Sequence, residues 1–311
     1  MDGTDFANNL FSDLGPLLTL FGERVAIQYL SHSTTWIEGL IFACAPIGIL
    51  TAVVSAIRVG GSRWLKAIVG RAREPDADVE LELMSSTSSD VCELWNGAGI
   101  VRVVGSPSII ELIYRSPDEA NLCNDGTDGD KLEESLASSN ADIEVSRRFS
   151  ASPPNIVLNV SGGIVRGWEL MIAAAIGMVL QAGVLVYDGL ITYRLNVTRG
   201  VKVNGDALPL TVVGTMGLML GTFLCALVVE NSTEEEVWEA TCPKKQALRI
   251  VWLQRGKLVG DQDFGSFVIH DTHHQQRIRT SRKIANTKRL EIWTLLGSSL
   301  TIISFVLQFV G

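Results

Sequence analysis

The chain has 311 residues, 47% hydrophobic and 19% charged, with a formal net charge of −8 and a mean hydropathy of +0.25. Soluble chains carry charge on roughly a quarter of their residues; here the deficit is confined to four stretches from which charge almost vanishes, the pattern of membrane spans joined by aqueous loops. Nucleic-acid binding is excluded as a leading reading, because the basic residues are interrupted by acids and no aromatic-basic platform accompanies them.

The N-terminus, Met1-Asp2-Gly3-Thr4-Asp5, has no basic n-region, and Pro16 interrupts the first apolar run, so no cleavable leader is expected. Within an extracytosolic segment 1–36, residues 14–30 place Leu14, Leu17, Leu18, Phe21 and Val25 at helical spacing, with Glu23, Arg24 and Gln28 on other faces. The pattern predicts an amphipathic helix too short and too polar to span. A first transmembrane helix is expected over 37–57, because about 20 apolar residues cross a hydrocarbon core of roughly 30 Å. Pro46-Ile47-Gly48 should kink it. Arg58, Arg63, Lys66, Arg71 and Arg73 follow with no acid before Glu74. The positive-inside rule puts this flank in the cytosol and the N-terminus outside. Trp64, Leu65, Ile68 and Val69 lie among the cations, so the flank reads either as an interfacial helix on anionic lipid or as a plain stop-transfer flank.

The segment 58–167 is expected to be a cytosolic loop. Val79–Met84 alternates as a half-buried strand does, and Ile100–Val104 reads as a second strand. Ser106-Pro107 offers an N-cap and first-turn proline to a short helix over 108–115, with Ile109, Leu112 and Ile113 on one face. Residues 116–154 have the composition of a disordered insertion ending in Pro153-Pro154. Ile156–Val160 is expected to be a third strand.

A second transmembrane helix is expected over 168–191, flanked by Trp168, Tyr187 and Tyr193 as in aromatic belts. A short extracytosolic loop, 192–207, then leads to a third over 208–229. Ala173 with Gly177, and Gly217 with Gly221, are small-xxx-small pairs, and they predict a tight hairpin of these two spans. The loop 230–291 carries Glu234, Glu235 and Glu236, strand-like runs at Ala247–Leu253 and Phe264–His270, and a basic flank of Arg277, Arg279, Arg282, Lys283, Lys288 and Arg289. A last apolar segment fills 292–311. It stops without a polar flank, so the chain is expected to be the front part of a larger membrane protein. The fold class that follows is an α-helical membrane protein with four transmembrane helices and a cytosolic α+β unit built from the two large loops.

Few residues point to chemistry. An ion pathway through a membrane needs ionisable groups inside the bundle. The spans offer only Gln181, Asp188 near an interface, hydroxyls and Gln308, which disfavours a pump. His270, Asp271, His273 and His274 are the densest set of candidate ligands or bases, but their spacing is not an established zinc pattern and a polar strand exit explains them. Asp263-Phe264-Gly265 matches the kinase metal-binding tripeptide in letters, without the glycine-rich loop or catalytic loop that such sites require. The five cysteines, Cys44, Cys92, Cys123, Cys225 and Cys242, form no CxxC, and no disulfide framework is expected. No catalytic, cofactor-binding or metal residue is assigned, and no cofactor is expected. Sequons occur at Asn159, Asn196 and Asn231; Asn196 alone falls in a loop expected outside, making it the glycosylation candidate, although Arg194, Arg199 and Lys202 crowd that loop.

The chain resembles a group of fungal multi-pass membrane proteins of unknown function. The resemblance rests on Leu14-Gly15-Pro16-Leu17 through Glu23, on Ile57-Arg58-Val59-Gly60-Gly61 through Glu74, and on Val79-Glu80-Leu81-Glu82-Leu83-Met84. Val91-Cys92-Glu93-Leu94-Trp95-Asn96-Gly97 and Leu290-Glu291-Ile292-Trp293 extend it to nearly the whole chain. It implies no catalytic residues. Some members of the group continue into ankyrin-type repeats, which this chain lacks. The function expected is a non-enzymatic membrane anchor or sensor in the lipid bilayer whose cytosolic unit binds a protein partner. The alternatives are a membrane-associated enzyme using His270–His274 and the front part of a transporter or channel.

Overall fold

In a computed structural model, residues 22–105, 109–117, 145–147, 153–160, 167–198, 207–239, 246–270, 277–285 and 287–310 are described. Their helices, in chain order, are α1 (Glu23–His32), α2 (Trp36–Cys44), α3 (Ile49–Gly60), α4 (Arg63–Ile68), α5 (Asp76–Leu83), α6 (Ile156–Val160), α7 (Gly167–Thr198), α8 (Ala207–Glu230) and α9 (Lys288–Val310). The strands are β1 (Val91–Trp95), β2 (Ile100–Val104), β3 (Ile109–Pro117), β4 (Val145–Arg147), β5 (Thr233–Glu239), β6 (Gln246–Gln254), β7 (Lys257–Val259), β8 (Gln262–Phe264), β9 (Phe267–His270) and β10 (Arg277–Lys283). The chain divides into a helical unit, Met1–Met84 with Ile164–Thr233 and Ile284–Gly311, and a β-rich unit, Ser85–Gly163 with Glu234–Lys283.

Long charge-free sequence can satisfy its own backbone in an apolar solvent only by forming helix. Among the described residues of the helical unit, three helices are long and apolar enough to cross a membrane: 27 residues over Gly167–Tyr193, 24 over Ala207–Glu230 and 21 over Lys288–Gln308. The chain is in this sense a membrane protein. α8 and α9 pack along their length through small residues. A Cβ at Gly221 would lie 2.6 Å from the Thr301 amide nitrogen, and one at Gly214 would lie 2.6 Å from the Gln308 amide nitrogen. The pairing of small residues predicted close approach, but the partner differs from expectation: Gly217 and Gly221 face α9, and Gly177 of α7 faces Cys44 of α2. Along this seam the hydroxyls of Thr294, Ser298 and Thr301 donate to carbonyls four residues back, at 2.6–2.8 Å. Their protons are thus directed to their own helix, and the Thr301 hydroxyl also meets Cys225 Sγ of α8 at 3.9 Å.

The continuous first helix expected over 37–57 is two helices. Thr35 and Glu38 form a capping box that starts α2. The chain breaks at Ala45-Pro46-Ile47-Gly48, where Pro46 cannot continue α2 and Gly48 takes a left-handed φ of 76°. At nine and twelve residues, α2 and α3 are about 14 and 18 Å long, each short of a hydrocarbon core. Their outer ends lie at one level. A Cβ at Gly39 would sit 3.3 Å from the Ala226 methyl, and one at Gly60 would sit 2.7 Å from Val228 and 2.6 Å from Thr294. Both helices therefore begin or end beside the last turns of α8. α1 covers the pair, with Tyr29 stacked on Phe42 at 5.4 Å and Ala26 and Leu30 buried in one core with Ala52, Val59, Val79 and Leu83.

In the β-rich unit, strands from the two large loops pair directly, as expected. β3 and β6 run antiparallel over nine residues from Ile109↔Gln254 to Pro117↔Gln246, in a four-stranded sheet of order β4-β3-β6-β9. Ile156, Ile250, Trp252 and Ile278 form its core, and Cys92, Leu94 and Phe264 a smaller one. Several expected elements are corrected. Of Val79–Met84, residues 79–83 are helical, within α5, and Met84 follows it in extended backbone. Residues 109–115 are strand β3, not helix. Ile156–Val160 is the helix α6. The run Phe264–His270 is interrupted between β8 and β9. The helix expected over 14–30 starts at Glu23, after the non-helical N-cap Gly22; residues 14–21 lie outside the described residues, as do the capping residues 106–108 and most of the insertion 116–154.

Candidate functional site

The basic flank expected at the membrane surface is divided by the structure into an internal part and an external one. Arg58 closes α3 and its side chain is only 5% exposed. Its Nε donates to Glu74 Oε2 at 2.9 Å, and its Nη2 donates to Glu74 Oε1 at 2.7 Å and to Glu82 Oε2 at 2.5 Å. The bidentate fork fixes the loop after α4, and α5 beyond it, to the end of α3. Glu74 also accepts from Arg71 at 3.2 Å, and Lys66 lies 3.6 Å from Asp76. Arg58 is thus a structural clasp and not a lipid-facing cation. Arg63 and Arg73 are exposed and form no ion pair among the described residues.

The second polar feature of the helical unit is the break between α2 and α3. Gln181, the mid-span amide of α7, donates to the Cys44 carbonyl that the break leaves without a helical partner. Gly22 closes the other side, where a Cβ at Gly48 would lie 2.7 Å from the Gly22 carbonyl oxygen. Gln181 is therefore an internal cap for a broken helix, and an unwound backbone at this depth needs such a partner. Asp188 is half-buried on α7.

In the β-rich unit the polar interior is also structural. Glu93 on β1 is 1% exposed. It accepts from the Val157 amide at 2.8 Å and from Arg102 Nη1 at 3.1 Å; burial pushes its carboxyl above the usual range in spite of both donors. Burial likewise pushes the Cys92 thiol up to about 12, so at neutral pH it is a protonated core residue and not a nucleophile. Gln254 joins three segments, accepting from the Trp95 amide at 2.8 Å and donating to the carbonyls of Trp95 and Gly265 at 2.9 Å. Asn155 and Asn159 take the place of a strand beside β10. Their side-chain oxygens accept from the amides of Ser281 and Arg279, each at 2.9 Å, and the Asn159 amide returns a bond to the Arg279 carbonyl.

That geometry removes Asn159 from the set of accessible sequons, since its side chain is buried and bonded on both sides. Asn196, expected in an outside loop, lies in the last turn of α7, which runs to Thr198. Of the His270–His274 cluster, His270 ends β9, and the rest lies outside the described residues. The sequence reading missed Glu74 and Glu82 as partners of Arg58, because they follow it by 16 and 24 positions with no periodicity linking them. It also missed Gln254 and the two asparagines, whose partners are backbone groups of distant strands. The Thr35-Trp36-Ile37-Glu38 cap was readable from its spacing alone. The chain matches no protein-family model, no curated protein and no solved structure, so its function has to be argued from its own geometry.

Proposed function

We propose that the protein is a membrane-embedded anchor or sensor that holds a partner-binding α+β unit at the cytosolic face of a bilayer. The observation that carries this reading is the outward surface of α7. Met171, Ile172, Ile176, Val179, Leu180 and Val184 are all at least half exposed, an apolar surface that lipid, not water, accommodates. In this reading α7, α8 and α9 cross the bilayer, while α2 and α3 dip into it and return to the same face. The expected four crossings become three. The N-terminal segment then shares the cytosol with both large loops, and the basic residues after α3 and before α9 agree with that side.

The partner-binding part is the sheet of the β-rich unit. Among the described residues β9 has a strand neighbour on one side only, and it carries Phe267 and Val268 exposed beside a Trp95–Phe267 ring stack at 5.6 Å. An open strand edge with apolar side chains receives an extended segment of another protein by main-chain pairing. A photo-crosslinking amino acid placed at Val268 of the full chain in living cells should give a discrete adduct that the same group at exposed Lys257 does not give. No adduct from Val268 or from Phe267 would overturn the partner-binding reading.

A further inference from the structure

The structure assigns α4 a depth, and with it a ligand. Leu65 is buried with Ile57, Cys225 and Val228, and Val69 and Leu290 pack against the same cluster. Val228 is in the last turn of α8, which ends at Glu230, and Leu290 is in the first turn of α9, which starts at Lys288. α4 thus lies at the level where two membrane-spanning helices meet water. Its inner side is Leu65. Trp64 and Ile68, one turn apart, point away from that cluster and are 56% and 73% exposed. Tryptophan at this depth is the residue type that partitions into the headgroup layer.

The charge around these two side chains is mainly positive, with Asp76, Asp78 and Glu291 the exposed acids of the same segments. Arg63 and Arg73 are exposed and unpaired among the described residues, and the Arg71 side chain is 52% exposed. Lys288 and Arg289, in the α9 turn that packs against Gly60, are exposed at the same level. The nearest acid in sequence, Glu74, is withdrawn inward by Arg58, and Asp76 is matched by Lys66. We propose that the face of α4 bearing Trp64 and Ile68, ringed by Arg63, Arg71 and Arg73, is a docking site for the headgroups of anionic phospholipids in the adjoining leaflet. The occupant follows from charge complementarity and from continuity with the lipid-covered sides of α8 and α9. The Arg58 clasp holds the site in register, so that the cation nearest the membrane interior is neutralised, Arg63 and Arg73 remain available, and Arg71 is half exposed while shared with Glu74.

This rests on the membrane-spanning reading, and one experiment separates the two. The full chain, reconstituted in phosphatidylcholine, is probed with spin-labelled phosphatidylserine and spin-labelled phosphatidylcholine, and the motionally restricted fraction of each is measured. The wild type should select phosphatidylserine about fivefold or more at low salt, and roughly 1 M salt, with a screening length of ~3 Å, should abolish the preference. Arg63→Gln/Arg71→Gln/Arg73→Gln should fall to near parity. Arg63→Gln/Arg73→Gln, which breaks no ion pair among the described residues, should fall part of the way, and Arg255→Gln/Lys257→Gln in the β-rich unit should keep the full preference. Restricted lipid without headgroup preference in the wild type, or full preference in the triple variant, overturns the site and leaves the spans standing. No restricted lipid of either kind overturns both.

Discussion

At the scale of single residues, Arg58 shows how a charge can sit at the end of an apolar helix without facing lipid. Glu74 is nearly as enclosed as Arg58, at 7% exposure, whereas Glu82 is 44% exposed. Most of the energy therefore lies in the first pair, since exposed partners are screened by water. Arg58→Ala should destabilise the helical unit by about 3 kcal/mol, because it strands the Glu74 carboxylate in a low-dielectric site. Arg58→Met with Glu74→Met should recover most of that loss, as measured by thermal unfolding in detergent; a double variant no better than the single one would show that the pair is not a closed unit. Cys92 makes a different kind of statement. Its thiol ordinarily titrates at 9.0 and here at about 12, so between those values the folded state holds a proton that the unfolded state has released. Stability contributed by this group is complete below pH 9 and is lost as the pH climbs toward 12. In the native protein at pH 8, Cys92 should resist iodoacetamide and should react once the β-rich unit is unfolded, which peptide mapping reads directly.

At the scale of elements, the sequence was legible where a single period dominated and illegible where a distant partner decided. The long apolar runs became α7, α8 and α9, the last two within four residues of their expected bounds and α7 seven residues past its expected end at Ile191, because helix lets such backbone satisfy itself in lipid. Val79–Met84 was misread because an alternating run of Val, Glu and Leu fits a strand. Pro75 and the acids Asp76 and Asp78 at a helix start favour α5 instead. Residues 109–115 carry a helix-start signature before them, yet nine cross-strand pairs with β6 outweigh it. Ile156–Val160 is β-branched at three of its five positions, but helical spacing brings Asn155 and Asn159 to the backbone of β10, which no local pattern announces. The basic flank was legible as a flank; that Arg58 belongs to the interior was not, since its acceptors come from folding and not from spacing. The small-residue pairs announced close approach without naming the partner. Gly221→Val tests that partner: its Cβ would fall 2.5 Å from the Thr301 hydroxyl and 2.6 Å from the Thr301 backbone nitrogen. It should push α9 away and lower the melting temperature by several degrees, a cost of about 2 kcal/mol for overpacking. Gly183→Val on α7, with nothing within 4 Å, should leave melting unchanged. Equal effects would mean that helix propensity, and not the α8–α9 seam, is being read.

At the scale of the whole molecule, the number of crossings turns on α2 and α3. A single kinked span would put its two ends some 30 Å apart across the hydrocarbon. Gly39 and Gly60 instead lie against Ala226 and Val228, within a turn of one another on α8, and Tyr29 donates to the Glu38 carbonyl at 2.8 Å from a helix that shares its core with α5. α1 and α5, on either side of the α2–α3 pair in sequence, could not share a core if the bilayer lay between them. Glycosylation decides the matter with acceptors in the segments that flank the spans. Asp206→Thr makes a sequon at Asn204, between α7 and α8, and Phe11→Thr makes one at Asn9. Three crossings with cytosolic loops predict a glycan on Asn204 and none on Asn9 or on the natural sequon at Asn231. Glycans on both Asn204 and Asn9 would restore a full first crossing, and a glycan on Asn231 would put the β-rich unit on the far side of the membrane. Asn159 is unsuited to this test, because its side chain holds β10 in place and a sugar there would report unfolding as much as orientation.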